Sequence, residues 1–228
     1  CFKTFQIYMV QLIKKNKFLL FVFLFAGLFF LLYFLSKRES IPLLKLPFYG
    51  KTKPINGDTI RHRLPDFSFV NQNGETFTKQ QLKNKIFVAD YFFTTCGSIC
   101  PIMKKQMKRV FDTFLNDSEI IFLSHTVDPE TDNVEVLQKF ANRLGVQNGR
   151  WYFLTGNKKQ LYQMAREGYL LDAGEGNGDS SDFIHTQNFA LIDKEFHLRG
   201  FYDGTDSTDI DRLIREIRLL KQEYDHSK

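Results

Sequence analysis

An α/β fold, with a central sheet flanked by helices, is the class this sequence predicts, and three observations predict it. Strand-length apolar runs alternate with segments of helical period from residue 86 onward. Two turn-bounded hairpins bracket that alternation. Two cysteines, Cys96 and Cys100, sit where a buried run turns into a helix. That is the carboxyl end of a strand, where α/β folds place their sites.

The elements follow in order. Residues 66–70 and 75–78 alternate in polarity around Asn71-Gln72-Asn73-Gly74, a hairpin turn signal. Residues 86–93 form a continuous apolar run, interrupted only by Asp90. The cysteine loop follows, and Met103, Met107, Val110, Phe111 and Phe114 recur at helical spacing over about 102–115. A second buried strand over 120–123 leads into His125-Thr126-Val127-Asp128-Pro129-Glu130-Thr131-Asp132. Val134, Leu137, Phe140, Ala141 and Leu144 predict the next helix, with Asp132 as N-cap and Gly145 as its stop. Residues 151–154 read as a strand, and Asn157 caps a helix to about Glu167, closed by Gly168. Residues 172–182 are rich in Gly, Asp and Ser and read as a loop. A second hairpin, 183–192 with 196–202, turns at Asp193-Lys194. Ile210, Leu213, Ile214, Ile217 and Leu220 place one stripe on a final helix.

Residues 18–35 carry no charge and are just long enough to span a bilayer core. Lys14, Lys15 and Lys17 precede them, and Lys37 and Arg38 follow. The expected organisation is a basic segment (1–17), an uncleaved transmembrane anchor (18–35), a proline-containing tether (36–62) and one globular domain (63–228). The lysine cluster before the span leans toward a cytoplasmic N-terminus and an extracytoplasmic domain, on the periplasmic side of a bacterial inner membrane. The net charge is +5, but no basic stripe with interleaved aromatics accompanies it, so nucleic acid is not an expected partner.

Besides Cys1, the chain has only Cys96 and Cys100, too few for a disulfide scaffold. Four residues apart at a helix start, the two sulfurs share one face, and a helix N-terminus favours thiolate. A close pair in a polar, glycine-containing loop reads as redox-active or as a soft-metal site rather than as core packing. Dithiol oxidoreductases mostly separate their cysteines by two residues; here three intervene. Those enzymes also set a cis-proline against the cysteines, and this chain has no proline after Pro129. A thiol peroxidase would need Thr or Ser three residues before its cysteine, where Phe93 and Gly97 stand. His185 opens the later hairpin, at the place such a proline would occupy, and is the candidate third ligand. His62, His197 and His226 read as satisfied or solvated, while His125 ends a neighbouring strand and could approach the site, though a turn-facing role is expected before that. Two thiolates and an imidazole suit copper(I) or copper(II); zinc would want a fourth ligand, from water or Asp182.

Three segments carry a resemblance. Phe92-Phe93-Thr94-Thr95-Cys96-Gly97-Ser98-Ile99-Cys100-Pro101, Val127-Asp128-Pro129-Glu130-Thr131-Asp132 and Asp182-Phe183-Ile184-His185 are similar to the CxxxCP, DPxxD and distal-histidine segments of the Sco/SenC family. Gly200-Phe201-Tyr202-Asp203-Gly204-Thr205 is a weaker supporting match. The resemblance implies a thioredoxin-like fold. It implies a membrane-anchored metallochaperone that delivers copper to the binuclear site of a cytochrome c oxidase subunit. Cys96, Cys100 and His185 would be its ligands, with Asp128 and Asp132 shaping loops or facing a partner. It equally admits a thiol-disulfide reductase that keeps the oxidase cysteines reduced, with Cys96 and Cys100 as the redox pair.

Overall fold

The computed structural model describes residues 21, 24–30, 33, 45–55, 58–146, 149–171 and 184–225. They belong to two compact units, residues 1–43 and 44–228.

In the first unit, the described residues 21, 24–30 and 33 are helical and exposed. Among the described residues no helix is long and apolar enough to cross a membrane. Much of the span expected over 18–35 lies outside them.

The second unit is built on a seven-stranded sheet of order β4-β3-β7-β6-β5-β8-β9. Its strands are β3 (Ser68–Asn71), β4 (Thr76–Thr78), β5 (Ile86–Phe92), β6 (Ile120–Thr126), β7 (Trp151–Thr155), β8 (Asn188–Ile192) and β9 (Leu198–Asp203). The central β5, β6 and β7 are parallel, and the outer hairpins β3–β4 and β8–β9 join them antiparallel. The helices are α1 (Ile99–Thr113), α2 (Val134–Arg143), α3 (Lys158–Gln163) and α4 (Ser207–Asp225). α3 runs directly into a π-helical turn, Met164–Gly168.

Side chains alternate across a strand, so β5 feeds two cores. Ile86, Val88 and Phe92 pack with Met103, Met107 and Val110 of α1 and with Leu213 and Ile217 of α4. Phe87, Ala89 and Tyr91 pack on the other face, with Leu161 and Tyr162 of α3. Burying each of the larger of these side chains contributes about 1.5–3 kcal/mol. Both faces of the central strands are covered, which is why their sequences run apolar without alternation.

Two expectations change. Within the segment read as tether, 36–62, residues 46–49 are held against the domain rather than free-running. Leu46 is buried in the α1/α4 core, and its N–H donates to Glu223 at 2.6 Å. Arg199 donates to the Leu46 and Pro47 carbonyls, Tyr49 bridges to Leu198, and a short hairpin of β1 (Lys53–Ile55) and β2 (Asp58–Ile60) follows. The prolines mark a segment that makes few regular hydrogen bonds, but not one that lacks contacts. Asp132 does not cap α2. Asn133 does, accepting from the Val136 N–H at 3.1 Å, because the Asp132 carboxylate is engaged elsewhere.

Candidate thiol and metal site

β5 ends at Phe92 and α1 begins at Ile99, and the loop between them carries Cys96. α1 starts earlier than its apolar period predicted, so Cys100 lies inside its first turn. No side chain caps that start, and Ser98 makes no capping bond. The amides there are left for the sulfurs.

Both cysteines are free thiols, Cys96 half-buried and Cys100 buried. Partial burial works against ionising Cys96. Hydrogen bonds from the Cys100 thiol and from the Ser98 and Cys100 N–H groups outweigh it and bring Cys96 down to about 7. Burial pushes the Cys100 thiol up to about 12, and donating its proton to Cys96 adds to the rise. The pair is therefore asymmetric, with a half-buried sulfur that ionises near neutrality and a buried one that keeps its proton.

Asp132 holds the loop from behind. It is fully buried and accepts from the Thr94 N–H at 3.1 Å, from the Thr94 hydroxyl and from the Thr126 hydroxyl at 2.6 Å. Asp128 shapes the turn before it: the Asp132 N–H donates to the Asp128 carbonyl at 2.8 Å. The acidic segment is thus the clamp that positions the cysteine loop, which fits the loop-shaping role the resemblance implied.

Beneath Cys100, one helical turn on, lies Lys104, only 3% exposed. It donates to Asp90 at 2.6 Å and to Ser124 at 2.8 Å. The Trp151 indole donates to the same Ser124 oxygen at 2.9 Å, and Ser124 donates to Asp90. Burial depresses the Lys104 ammonium below its usual range, with Asp90 opposing that fall. The sequence reading assigned no role to this group. Its signals were an Asp inside the apolar run 86–93 and a Lys four residues after Cys100, interleaved with the apolar positions of α1.

His185 is exposed and lies just before β8. β8 pairs with β5 as Phe87↔Ile192, Val88↔Leu191 and Ala89↔Ala190. Carried past its last pair, that register sets His185 opposite Thr94, at the cysteine end of the sheet. Among the described residues, one trio of His, Cys, Asp or Glu donor atoms lies mutually within 4.8 Å: Asp193, Glu195 and His197. So Cys96, Cys100 and His185 share an end of the sheet without being gathered to ligand distance. The trio itself is occupied: Asp193 pairs with Arg199 at 3.1 Å, and His197 accepts from Arg63 at 3.1 Å. It sits after β8, at the opposite end of the sheet from the cysteines.

His125 does not approach the site. β6 alternates like β5, and position 125 points to the α3 face. There the imidazole stacks on Tyr91 with centroids 5.1 Å apart and bonds Tyr169 at 3.1 Å. His62 bonds the Gly168 carbonyl at 2.8 Å, satisfied as expected. Asp182 and His226 lie outside the described residues.

A family model described as SCO1/SenC matches residues 58–222, from β2 to the last turns of α4. The chain belongs to the SCO1/SenC family. The SCO1 protein homolog of Bacillus subtilis is 27% identical over 163 residues, covering 71% of this chain and 84% of its own length. The solved structure of BsSco superposes with a TM-score of 0.60 at 26% identity, over 75% of this chain and 98% of that one. It is described as having a disulfide switch and as a member of the Sco family of cytochrome c oxidase assembly proteins. Arabidopsis thaliana ScoI with copper bound gives a TM-score of 0.55 at 22% identity, over 68% of this chain and 97% of that one. The thioredoxin-like mixed sheet expected from the resemblance is therefore the fold of this chain.

Proposed function

We propose that this chain is a metallochaperone of cytochrome c oxidase assembly that carries copper on Cys96, Cys100 and His185 and passes it to the copper-bearing oxidase subunit. The observation that carries the reading is the asymmetric sulfur pair. A half-buried thiol near neutral pKa and a buried one hydrogen-bonded to it form a two-sulfur grip for a soft ion that opens toward solvent. His185, at the same end of the sheet, supplies the imidazole once its strand lead closes on the loop. Copper is the cargo, and the relatives described with copper and with oxidase assembly support both ends of the transfer.

The anchor belongs to this reading. Phe21, Leu24 and Phe25 are about two-thirds exposed on a helix apolar all round, at 65%, 66% and 64%. Such a helix is buried in lipid or in protein. A single span over 18–35 would tether residues 44–228 outside the cytoplasm, where oxidised and reduced cysteines are both reachable.

Copper titration of the reduced full chain, against a colorimetric copper(I) competitor, tests the reading. One copper(I) per chain is expected, lost in Cys96→Ser and Cys100→Ser. His185→Ala should weaken copper(II) more than copper(I), since copper(II) prefers nitrogen. Wild-type copper(II) affinity and spectrum in a folded His185→Ala protein would remove His185 from the ligand set. A second reading, thiol-disulfide reduction, is favoured by the same Cys96 acidity, which sets a nucleophilic thiolate beside a buried resolving thiol. Reduction of a model disulfide that survives His185→Ala would separate the two.

A further inference from the structure

The surface around Cys96 is apolar in its centre and of one sign at its rim. A cavity of about 410 Å³ opens at the cysteines, between α1 and α2. Phe93, Pro101, Phe140 and Leu144 form its apolar wall, with Cys96 and Cys100 at one end. Lys105, Lys108 and Arg143 stand around it, and no carboxylate lines it. Lys108 is held by Asp112 at 2.7 Å, and the Arg143 guanidinium lies 5.5 Å from the Phe140 ring centroid. Lys105 is exposed. The first turn of α1 adds two exposed branched side chains, Ile99 at 38% and Ile102 at 48%.

A domain that closes two cores elsewhere leaves this apolar surface open beside its reactive sulfur. Such a surface, rimmed by charge, marks an interaction site. The occupant is anionic, because Lys105 and Arg143 line the groove, Lys108 being the one rim cation paired with a carboxylate, Asp112, and attraction needs the opposite sign. Two copies meeting here face to face would oppose cation to cation. We propose that the groove between α1 and α2 docks an acidic segment of a partner protein, with an apolar side chain as anchor and a thiol delivered to Cys96. The proposal rests on the function proposed for the two cysteines and names the chemistry of the partner they serve.

The test uses the full chain with Cys1→Ser, in a non-ionic detergent, with Cys96 and Cys100 oxidised to a disulfide. The probes are two synthetic peptides, acetyl-Leu-Glu-Cys-Glu-Leu-amide and its Lys twin, with dithiothreitol as neutral reductant. The peptide thiolate attacks the Cys96 sulfur and the Cys100 sulfur leaves and takes up a proton. A second peptide thiolate then attacks the peptide sulfur of the mixed disulfide, releasing the peptide disulfide and the reduced protein. The readout is the ratio of Glu-peptide to Lys-peptide rates, which cancels the peptides' own thiol acidities when proteins are compared.

Lys105→Glu with Arg143→Glu should lower that ratio by about tenfold or more at about 0.01 M salt, and by much less at about 1 M, where charges are screened within ~3 Å. Replacing both peptide leucines by glycine should slow the acidic peptide about fivefold, the effect of losing a methylene or two of buried contact. The dithiothreitol rate and the binding of one copper(I) should be unchanged in the double variant. A ratio that is the same in both proteins, with those two properties intact, overturns the docking and leaves the copper reading standing. A wild-type protein that binds no copper(I) when reduced overturns the reading beneath, and the docking with it.

Discussion

Lys104→Met keeps most of the side chain's volume and removes its ammonium, and the buried site it leaves behind sets the cost. Asp90 is fully buried and Lys104 is 3% exposed, so water does not replace the lost charge. The 2.6 Å bond to Asp90 and the 2.8 Å bond to Ser124 both disappear. So does the contact of the ammonium with the Phe92 ring, 4.2 Å from its centroid. Breaking a buried pair by removing one partner costs about 3–5 kcal/mol, a large part of the ~5–15 kcal/mol that holds a domain folded. Asp90→Asn added to Lys104→Met removes the orphaned charge, so the double variant should recover about half of the loss or more. The chain's single tryptophan, Trp151, donates to Ser124 within this network at 2.9 Å. Its fluorescence therefore reports the perturbed region directly. Urea unfolding of the full chain in detergent, followed by this emission and by far-ultraviolet circular dichroism, gives the free energy by linear extrapolation. A Lys104→Met protein within about 1 kcal/mol of wild type, at equal m value, would refute the argument that this charge compensates Asp90.

Other outcomes follow from the same geometry. In the reduced, metal-free protein, iodoacetamide should modify Cys96 first, with a midpoint near pH 7, while Cys100 stays protected far into the alkaline range; mass spectrometry of time points reads both. His125 is held neutral by burial, its pKa lowered to about 3, so between the ordinary histidine value and that value the unfolded chain binds a proton the folded chain refuses. Stability should therefore fall as pH drops below about 6.5, by up to ~1.4 kcal/mol per unit, and His125→Phe should flatten the slope between pH 6.5 and 5. Asp132→Asn puts a donor where the Thr94 and Thr126 hydroxyls also donate. It should cost about 1–3 kcal/mol and weaken copper(I) binding by loosening the cysteine loop, seen in urea midpoints and competitor titration.

Much of the fold was legible because it is encoded at short range. The apolar runs at 86–93 and 120–123, the helical stripes of α1, α2 and α4, and the turn at Asn71-Gln72-Asn73-Gly74 each depend on neighbours a few residues away. The cysteine pair was legible for the same reason, its spacing being a property of one helical turn. Boundaries were less so. α1 begins at Ile99, and the loop before it is held by Asp132, a contact 38 residues distant that no local pattern announces.

The unread part of the site is long-range and polar. Lys104 looks like a solvated lysine until β5 and β6 bring Asp90 and Ser124 beneath it. Asp132 looks like a cap until Thr94 and Thr126 take its oxygens. Residues 45–49 look like linker until α4 and β9 offer Glu223, Arg199 and Leu198 as partners. Local periodicity dictates which face of an element is apolar, so it carries the elements and the motif. Which buried charge meets which depends on strand order and register, and those are chosen by the whole core at once.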